Sequence, residues 1–176
     1  DAIEGQGIAV DIVFSNAALQ VAYREDFWNT PADDFELSFR VNAIAPAMIC
    51  HRLIPSMLKR GFGRIINVTS GIRNEPEQAA YAASKAALDK FTKDLASRLT
   101  DGNVLLNLAD PGWCRTDMGG PEAPNSPESA VPGILVGAFV NDGRSGRLFP
   151  AQRFAGMTLA EAVADAETIE AHPYTV

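Results

Sequence analysis

Tyr81 and Lys85 lie four residues apart in a stretch of helical character, so their side chains share one face, one turn apart. A phenol ionises at about pH 10 and is a poor acid–base at neutral pH, but a neighbouring ammonium favours the phenolate. Tuned in that way, Tyr81 can deliver a proton to a carbonyl oxygen or remove one from an alcohol. The pair alone is a weak signal, because a packed tyrosine beside a solvated lysine has the same spacing. Its company strengthens it. Ser70 closes one β-rich run, Asn16 follows another, and Pro111-Gly112 follows a third. In a parallel sheet all three positions fall at the C-terminal edge, where ligands bind. A hydroxyl at Ser70 can hydrogen-bond the same carbonyl oxygen that Tyr81 serves. Asn42 places a short amide in the middle of a helix, where propensity does not favour it.

The elements that must position these residues are legible in the pattern. Residues 8–14, 64–68 and 104–108 are nearly continuous apolar runs of strand length, as expected of strands covered on both faces. The second and third follow glycine-bearing turns, at Gly61/Gly63 and at Gly102. Between the first two, Thr30-Pro31 with Asp33 and Asp34 reads as a helix start: a hydroxyl cap, proline at the first position, acid in the first turn. Leu37, Val41, Ile44 and Met48 carry a helical stripe toward Lys59, with a kink or break expected at Pro46 or Pro55. A second helix runs over about 78–98, with Tyr81, Leu88, Phe91, Leu95 and Leu99 on one side. Ala82, Ala83, Ala86 and Ala87 lie on the other, small enough for another helix to approach. Strands alternating with helices of this length imply right-handed crossovers and an α/β fold. Further on, Ser126 caps a helix opened by Pro127, residues 146–149 form a short edge strand, and Thr158-Leu159-Ala160-Glu161 is a capping box.

Composition narrows the function classes. A chain of 176 residues that is 47% hydrophobic and 21% charged is one ordinary globular domain, and disorder does not describe it. A net charge of −7 argues against a nucleic-acid partner, whose phosphates need a basic surface. The longest mostly apolar stretch, 131–140, is ten residues and holds Pro132 and Gly133, so no membrane span is expected. Cys50 and Cys114 allow at most one disulfide, and with His51 and His172 they make no metal-ligand spacing, so no metal is expected. No signal-peptide pattern opens the chain, which makes the cytoplasm the default location.

The chain resembles the short-chain dehydrogenase/reductase family, over nearly all of residues 8–149. Ser15-Asn16-Ala17-Ala18 is similar to the family's Asn-Asn-Ala-Gly after its fourth strand, and Val41-Asn42 matches the catalytic asparagine of the next helix. Gly63-Arg-Ile-Ile-Asn-Val-Thr-Ser70 matches the strand that ends in the catalytic serine, and Tyr81-Ala-Ala-Ser-Lys85 is the family's Tyr-x-x-x-Lys. The segment from Pro111 to Gly120 resembles the one lying over the nicotinamide in carbonyl-reductase-like members. The resemblance implies a doubly wound parallel sheet of Rossmann type, with residues 1–150 as the C-terminal, catalytic portion of the fold and 151–176 as a tail of the same domain. It implies Tyr81 as general acid–base, Lys85 lowering the pKa of Tyr81 and binding the nicotinamide ribose, and Ser70 orienting the carbonyl. Asn42 would hold a water that links Lys85 to solvent. Asn16, Ala17, Pro111, Gly112 and Thr116, with Tyr81 and Lys85, would contact the cofactor, NAD or NADP, and Trp113 and Met118 would wall the substrate pocket. The implied reaction is hydride transfer between a nicotinamide and a small carbonyl or alcohol, in a homodimer or homotetramer built on the two long helices.

The sequence departs from the family in one large respect. The glycine-rich fingerprint Thr-Gly-x-x-x-Gly-x-Gly is absent, since Gly5-x-Gly7 lacks the third glycine and Gly133-x-x-x-Gly137 lies inside a helical stretch. That fingerprint cradles the pyrophosphate at a helix N-terminus, and the residue choosing NAD or NADP lies in the same region. Without the preceding strands, residues 8–14 form an exposed apolar edge. The start at Asp1 rather than methionine fits a truncated or partial chain, and a non-catalytic fragment acting as an interaction module is the alternative reading. Lys85 argues against the related halohydrin lyases, which place arginine there. Asn42 and Pro111-Gly112-Trp113 favour the reductases over the related epimerases and dehydratases.

Overall fold

Residues 4–100 and 103–171 are described by a computed structural model; Asp1, Gly102 and His172 lie outside the described residues. The three apolar runs form adjacent parallel strands, β1 (Ile12–Ser15), β2 (Gly63–Val68) and β3 (Val104–Asp110), and a short β4 (Leu148–Pro150) extends the sheet in the order β1-β2-β3-β4. Every pairing is parallel, with Ile12 beside Arg64, Val68 beside Ala109 and Leu108 beside Leu148. Sequential parallel neighbours need crossovers, and the helices supply them: α1 (Ala32–Phe39) with α2 (Ala45–Arg60), α3 (Ala79–Ala96) and α4 (Pro127–Phe139).

Alternation along the strands divides the core into two layers. Ile65, Val104 and Leu106 face α2 and α3, packing with Cys50, Ile54, Met57, Ala96 and Leu99. Leu105 and Phe149 face the other way, against Val136 of α4, Val140 just after it, Phe154, and Ala162 and Ala166 of α5 (Leu159–Ala166). The expected capping box of α5 is present, and the Ser126 hydroxyl accepts from the Ser129 N–H ahead of Pro127.

Three expectations shift. Residues 8–11 are not strand, and Ile8 and Ile12 are exposed, because β1 pairs only with β2 and no described element covers its other side. Helix α1 starts one residue later than expected. Thr30 ends a preceding turn by donating its N–H to Phe27, so the extended Pro31 becomes the cap and Asp33 and Asp34 still fill the first turn. The break in the long helix falls at neither proline. It is a wide, π-type turn at Arg40–Ile44, and the helix runs through Pro46 and Pro55. Such turns are frequent at functional sites, and this one carries Asn42. By length and composition the helix spanning Ala32–Arg60 matches a membrane crossing, although prolines and charged residues interrupt its apolar runs. Its inner side packs on α3 and the sheet, as a core helix does.

The N-terminal ends of the strands are joined by two fully buried arginines. Arg64 donates to the Asn103 and Val140 carbonyls and to the Asn103 and Asn141 side chains. Arg147 forms a two-pronged ion pair with Asp142, at 2.7 and 2.9 Å, and Asp142 also holds Arg144. These contacts pin the bottom of the sheet, opposite the edge where chemistry is expected.

Candidate active site

Because the strands are parallel and in register, Ser15, Val68 and Asp110 end on one edge, and the segments that follow them converge there. The pairing runs one residue beyond β2, with the Thr69 N–H donating to Ala109 at 2.8 Å, and Ser70 follows at the lip. Helix α3 passes beneath this edge. Its buried face is Ala80, Tyr81, Ser84, Lys85, Leu88, Thr92 and Ala96, while Phe91 and Leu95 are only partly buried. The sequence stripe finds Tyr81, Leu88 and Leu99 but misses the polar members, which are buried with partners: Ser84 with Asn42, Lys85 with Val68 and Thr92 with Asn67.

Lys85 is 3% exposed and donates from Nζ to the Val68 carbonyl at 2.8 Å, joining α3 to the end of β2. Its ammonium stands 5.8 Å from the centre of the Tyr81 ring. Burial pulls the Lys85 pKa down to about 8, against the opposing pull of the Asp89 and Asp110 carboxylates. Tyr81 is itself buried, and burial raises its phenol above the ordinary value; a hydrogen bond with Ser70 pulls it down and the Asp110 charge pushes it up. The expected lowering of Tyr81 by Lys85 is thus not met in the chain by itself. Desolvation of the phenol dominates, and the opposing pull comes from Ser70.

The shift of Lys85 predicts a pH signature. A lysine with a folded pKa below its unfolded 10.5 binds fewer protons folded than unfolded between pH 8 and 10.5, so its burial penalty lifts as pH rises through that window. Between pH 7.5 and 9.5, the wild-type chain should gain about 1–2 kcal/mol relative to Lys85→Met. Urea unfolding midpoints of the two proteins at both pH values measure it.

Asn42 is 1% exposed, and its amide ties three elements together. Nδ2 donates to the Leu19 carbonyl at 2.8 Å and to the Ser84 hydroxyl at 2.9 Å, and Oδ1 accepts from the Leu19 N–H at 2.8 Å. Both amide hydrogens are occupied, so the side chain has no donor left for the expected water. It straps the segment after β1 to the helix that carries Tyr81 and Lys85.

The segment after β3 is a tight, internally bonded loop. Gly112 adopts φ +71°, a region that favours glycine, and its N–H donates to Asp110 Oδ1 at 2.9 Å. Trp113 donates its indole N–H to Gly119 at 2.7 Å but leaves the ring exposed, and the Thr116 hydroxyl accepts from the Gly119 N–H. Met118, Asp117 and residues 18–23 line an open groove of about 460 Å³, and Arg115, Thr116, Asp117, Gly120 and Pro121 line an adjoining one of about 380 Å³. Of the two expected pocket walls, Met118 lines a groove and Trp113 does not. Asn16 and Ala17 are exposed at the end of β1.

Two residues near this edge carry weight that the sequence reading did not assign. Asp110 ends β3, and its charge reaches Tyr81, Lys85, Asp89 and Cys114. An acid immediately before Pro-Gly at a strand's C-terminal end was the available signal. Gln152 reaches the same loop from the far end of the chain, and nothing local marks it.

The arrangement suits one half of a dinucleotide. A buried cation with a second and third N–H to offer, a hydroxyl at Thr116, the exposed Asn16 and Ala17 and the half-buried Pro111–Gly112 turn match a ribose and a carboxamide. No described residues form a glycine-rich turn opening a helix at a strand end, which the pyrophosphate would need.

Comparison with known proteins agrees with this geometry. Residues 1–126 match the short chain dehydrogenase family. The chain is 29% identical over 153 residues to the C-signal of Myxococcus xanthus, covering 81% of this chain and 89% of that one. It is 33% identical over 111 residues to the 3-oxoacyl-[acyl-carrier-protein] reductase FabG of Aquifex aeolicus, covering 62% of this chain and 44% of that one. The chain thus spans under half the length of that reductase. Among solved structures, the carbonyl reductase Sniffer of D. melanogaster superposes with a TM-score of 0.75 at 23% identity, over 86% of this chain and 68% of that one. A 4-hydroxyisoleucine dehydrogenase complexed with NADH (TM-score 0.73, 24% identity, 85% and 70% covered) shares the fold. So does an NADPH-bound carbonyl reductase from chicken fatty liver (TM-score 0.72, 21% identity, 89% and 69% covered). With its Rossmann-type parallel sheet and a match over most of its length, the chain belongs to the short-chain dehydrogenase/reductase family.

Proposed function

We propose that the chain is a nicotinamide-dependent oxidoreductase that interconverts a carbonyl and an alcohol, with Tyr81 as general acid–base. One observation carries the reading: a buried tyrosine whose phenol feels the Ser70 hydroxyl, beside a buried lysine bonded to the end of β2, at the C-terminal edge of a parallel sheet. The bound NADH and NADPH of structural neighbours support a nicotinamide without choosing between the two forms.

The chain's own residues divide the work. Ser70 donates to the substrate oxygen and fixes it beside the Tyr81 phenol. Tyr81, held protonated at neutral pH by burial, gives its proton to that oxygen as negative charge develops there. Lys85 stays largely charged at neutral pH, with a pKa of about 8, and stabilises the phenolate left behind. Asn42 keeps α3 and the segment after β1 at fixed spacing. The nicotinamide, when bound, supplies or accepts the hydride. Lys85, Thr116, Asn16, Ala17 and the Pro111–Gly112 turn would hold it.

The reading extends to a homodimer. Leu37 of α1, Ile44 of the wide turn and Met48 of α2 are exposed, apolar surface that a second copy would cover.

Ser70→Ala tests the assignment of the serine. It should lower kcat by about 10²-fold or more, as loss of one charge-stabilising donor does, with KM for the carbonyl changed far less. Steady-state kinetics on a panel of ketones and aldehydes measures this; an unchanged kcat would remove Ser70 from the mechanism.

A further inference from the structure

The peptide between Pro111 and Gly112 is held at both ends. Its N–H donates to Asp110 Oδ1 at 2.9 Å. Its carbonyl accepts from Gln152 Nε2 at 2.7 Å and from Cys114 Sγ at 3.3 Å. Gln152 is in turn oriented by Ser129, whose hydroxyl shares its one hydrogen between Gln152 Oε1 at 3.0 Å and the Ser126 carbonyl at 2.7 Å. An unbroken relay therefore runs from the first turn of α4 through Gln152 to the turn after β3. Packing reinforces it: a Cβ on Gly112 would meet Gln152 Cγ at 2.9 Å. A peptide plane has one rotational freedom relative to its neighbours, and here opposed hydrogen bonds remove it.

We propose that Gln152, oriented by Ser129, is a positioning residue that holds the Pro111–Gly112 peptide in the orientation a nicotinamide ring requires. The inference rests on the cofactor reading given under Proposed function and adds to it a residue from outside the matched family segment, which ends at 126. Gln152 comes from the segment after β4, 41 residues from Pro111, so the C-terminal part of the chain takes part in cofactor placement as well as packing. The chemistry needed is a side-chain amide: one group must donate to Pro111 and accept from Ser129 at once, and glutamate of the same size cannot donate.

The test compares the wild type with Gln152→Glu, Gln152→Met and Ser129→Ala by two readouts. The first is hydrogen exchange at the Gly112 amide, followed by NMR on the intact chain. Both Gln152 variants should speed it by about tenfold, and Ser129→Ala by less, as expected when one net hydrogen bond is lost. The second is the Kd for the preferred reduced dinucleotide against the Kd for ADP-ribose, or its 2′-phosphate, which lacks the nicotinamide. The Gln152 variants should raise the first Kd about tenfold and leave the second within about twofold. Unchanged Gly112 exchange overturns the proposal, and so does a parallel rise in both Kd values, which marks a merely structural role. A wild-type chain that binds neither ligand refutes the cofactor reading instead, and the exchange measurement still decides whether Gln152 holds the peptide.

Discussion

Tyr81→Phe is expected to reduce kcat for carbonyl reduction by about 10²–10⁴-fold, the range general acid–base groups contribute, with the fold intact. The change removes one oxygen from a ring that is 8% exposed and leaves the ring's packing in place. What disappears is the proton donor and its interaction with the Ser70 hydroxyl. No neighbour can substitute. Ser70 ionises far too high to act as an acid, and the Lys85 ammonium is held at the Val68 carbonyl, 5.8 Å from the centre of the ring it would have to replace. Circular dichroism and the unfolding midpoint should stay close to wild type, and Kd for the dinucleotide should change little, so the loss falls in kcat. An active Tyr81→Phe protein would assign the proton to another group and remove the core of the mechanism.

The second large effect is on stability. Asp142→Ala should destabilise the chain by about 3–5 kcal/mol, the cost of leaving a buried charge without its partner. Arg147 is 0% exposed and takes both oxygens of Asp142, which also holds Arg144. Burial pushes the Asp142 carboxyl up, but hydrogen bonds from Arg144 and Arg147 more than reverse this and hold it below its ordinary value. A carboxylate with a lowered folded pKa stabilises the fold above the unfolded value of 3.8, and that contribution fades as pH falls through the folded value. Acid should therefore narrow the gap between wild type and variant. Removing both charges, Asp142→Ala with Arg147→Met, should recover much of the loss, since apolar replacement of a buried pair is often neutral. Urea unfolding of the four proteins of this cycle at pH 7 and pH 3 reads both effects. Additive losses would mean that the pair does not act as a unit.

The residues of the site that were legible in the sequence share one property: each belongs to a short local motif. Tyr81 and Lys85 are one turn apart, Ser70 follows an apolar run, and Pro111-Gly112 punctuates the end of another. A parallel sheet brings those endings to one edge without further information. Asn42 was legible as an anomaly, an amide inside a helix, but its partners Leu19 and Ser84 are 23 and 42 residues away and no local pattern names them. The same limit hid Gln152. The wide turn at Arg40–Ile44 has no such local marker: proline is the visible helix breaker and points to Pro46 and Pro55, but the helix accommodates Pro46 in the first turn of α2 and runs through Pro55. The Tyr81 phenol was expected to fall, because charge spacing can be read from a sequence and burial cannot. The site is buried enough that desolvation decides the direction.

That this edge of the sheet serves a nicotinamide is tested most directly by titrating the 176-residue chain with NADH and NADPH and following cofactor fluorescence. Saturable binding in the micromolar range, with Lys85→Met weakening it, is the predicted result. A folded, soluble chain that binds neither dinucleotide would contradict the claim.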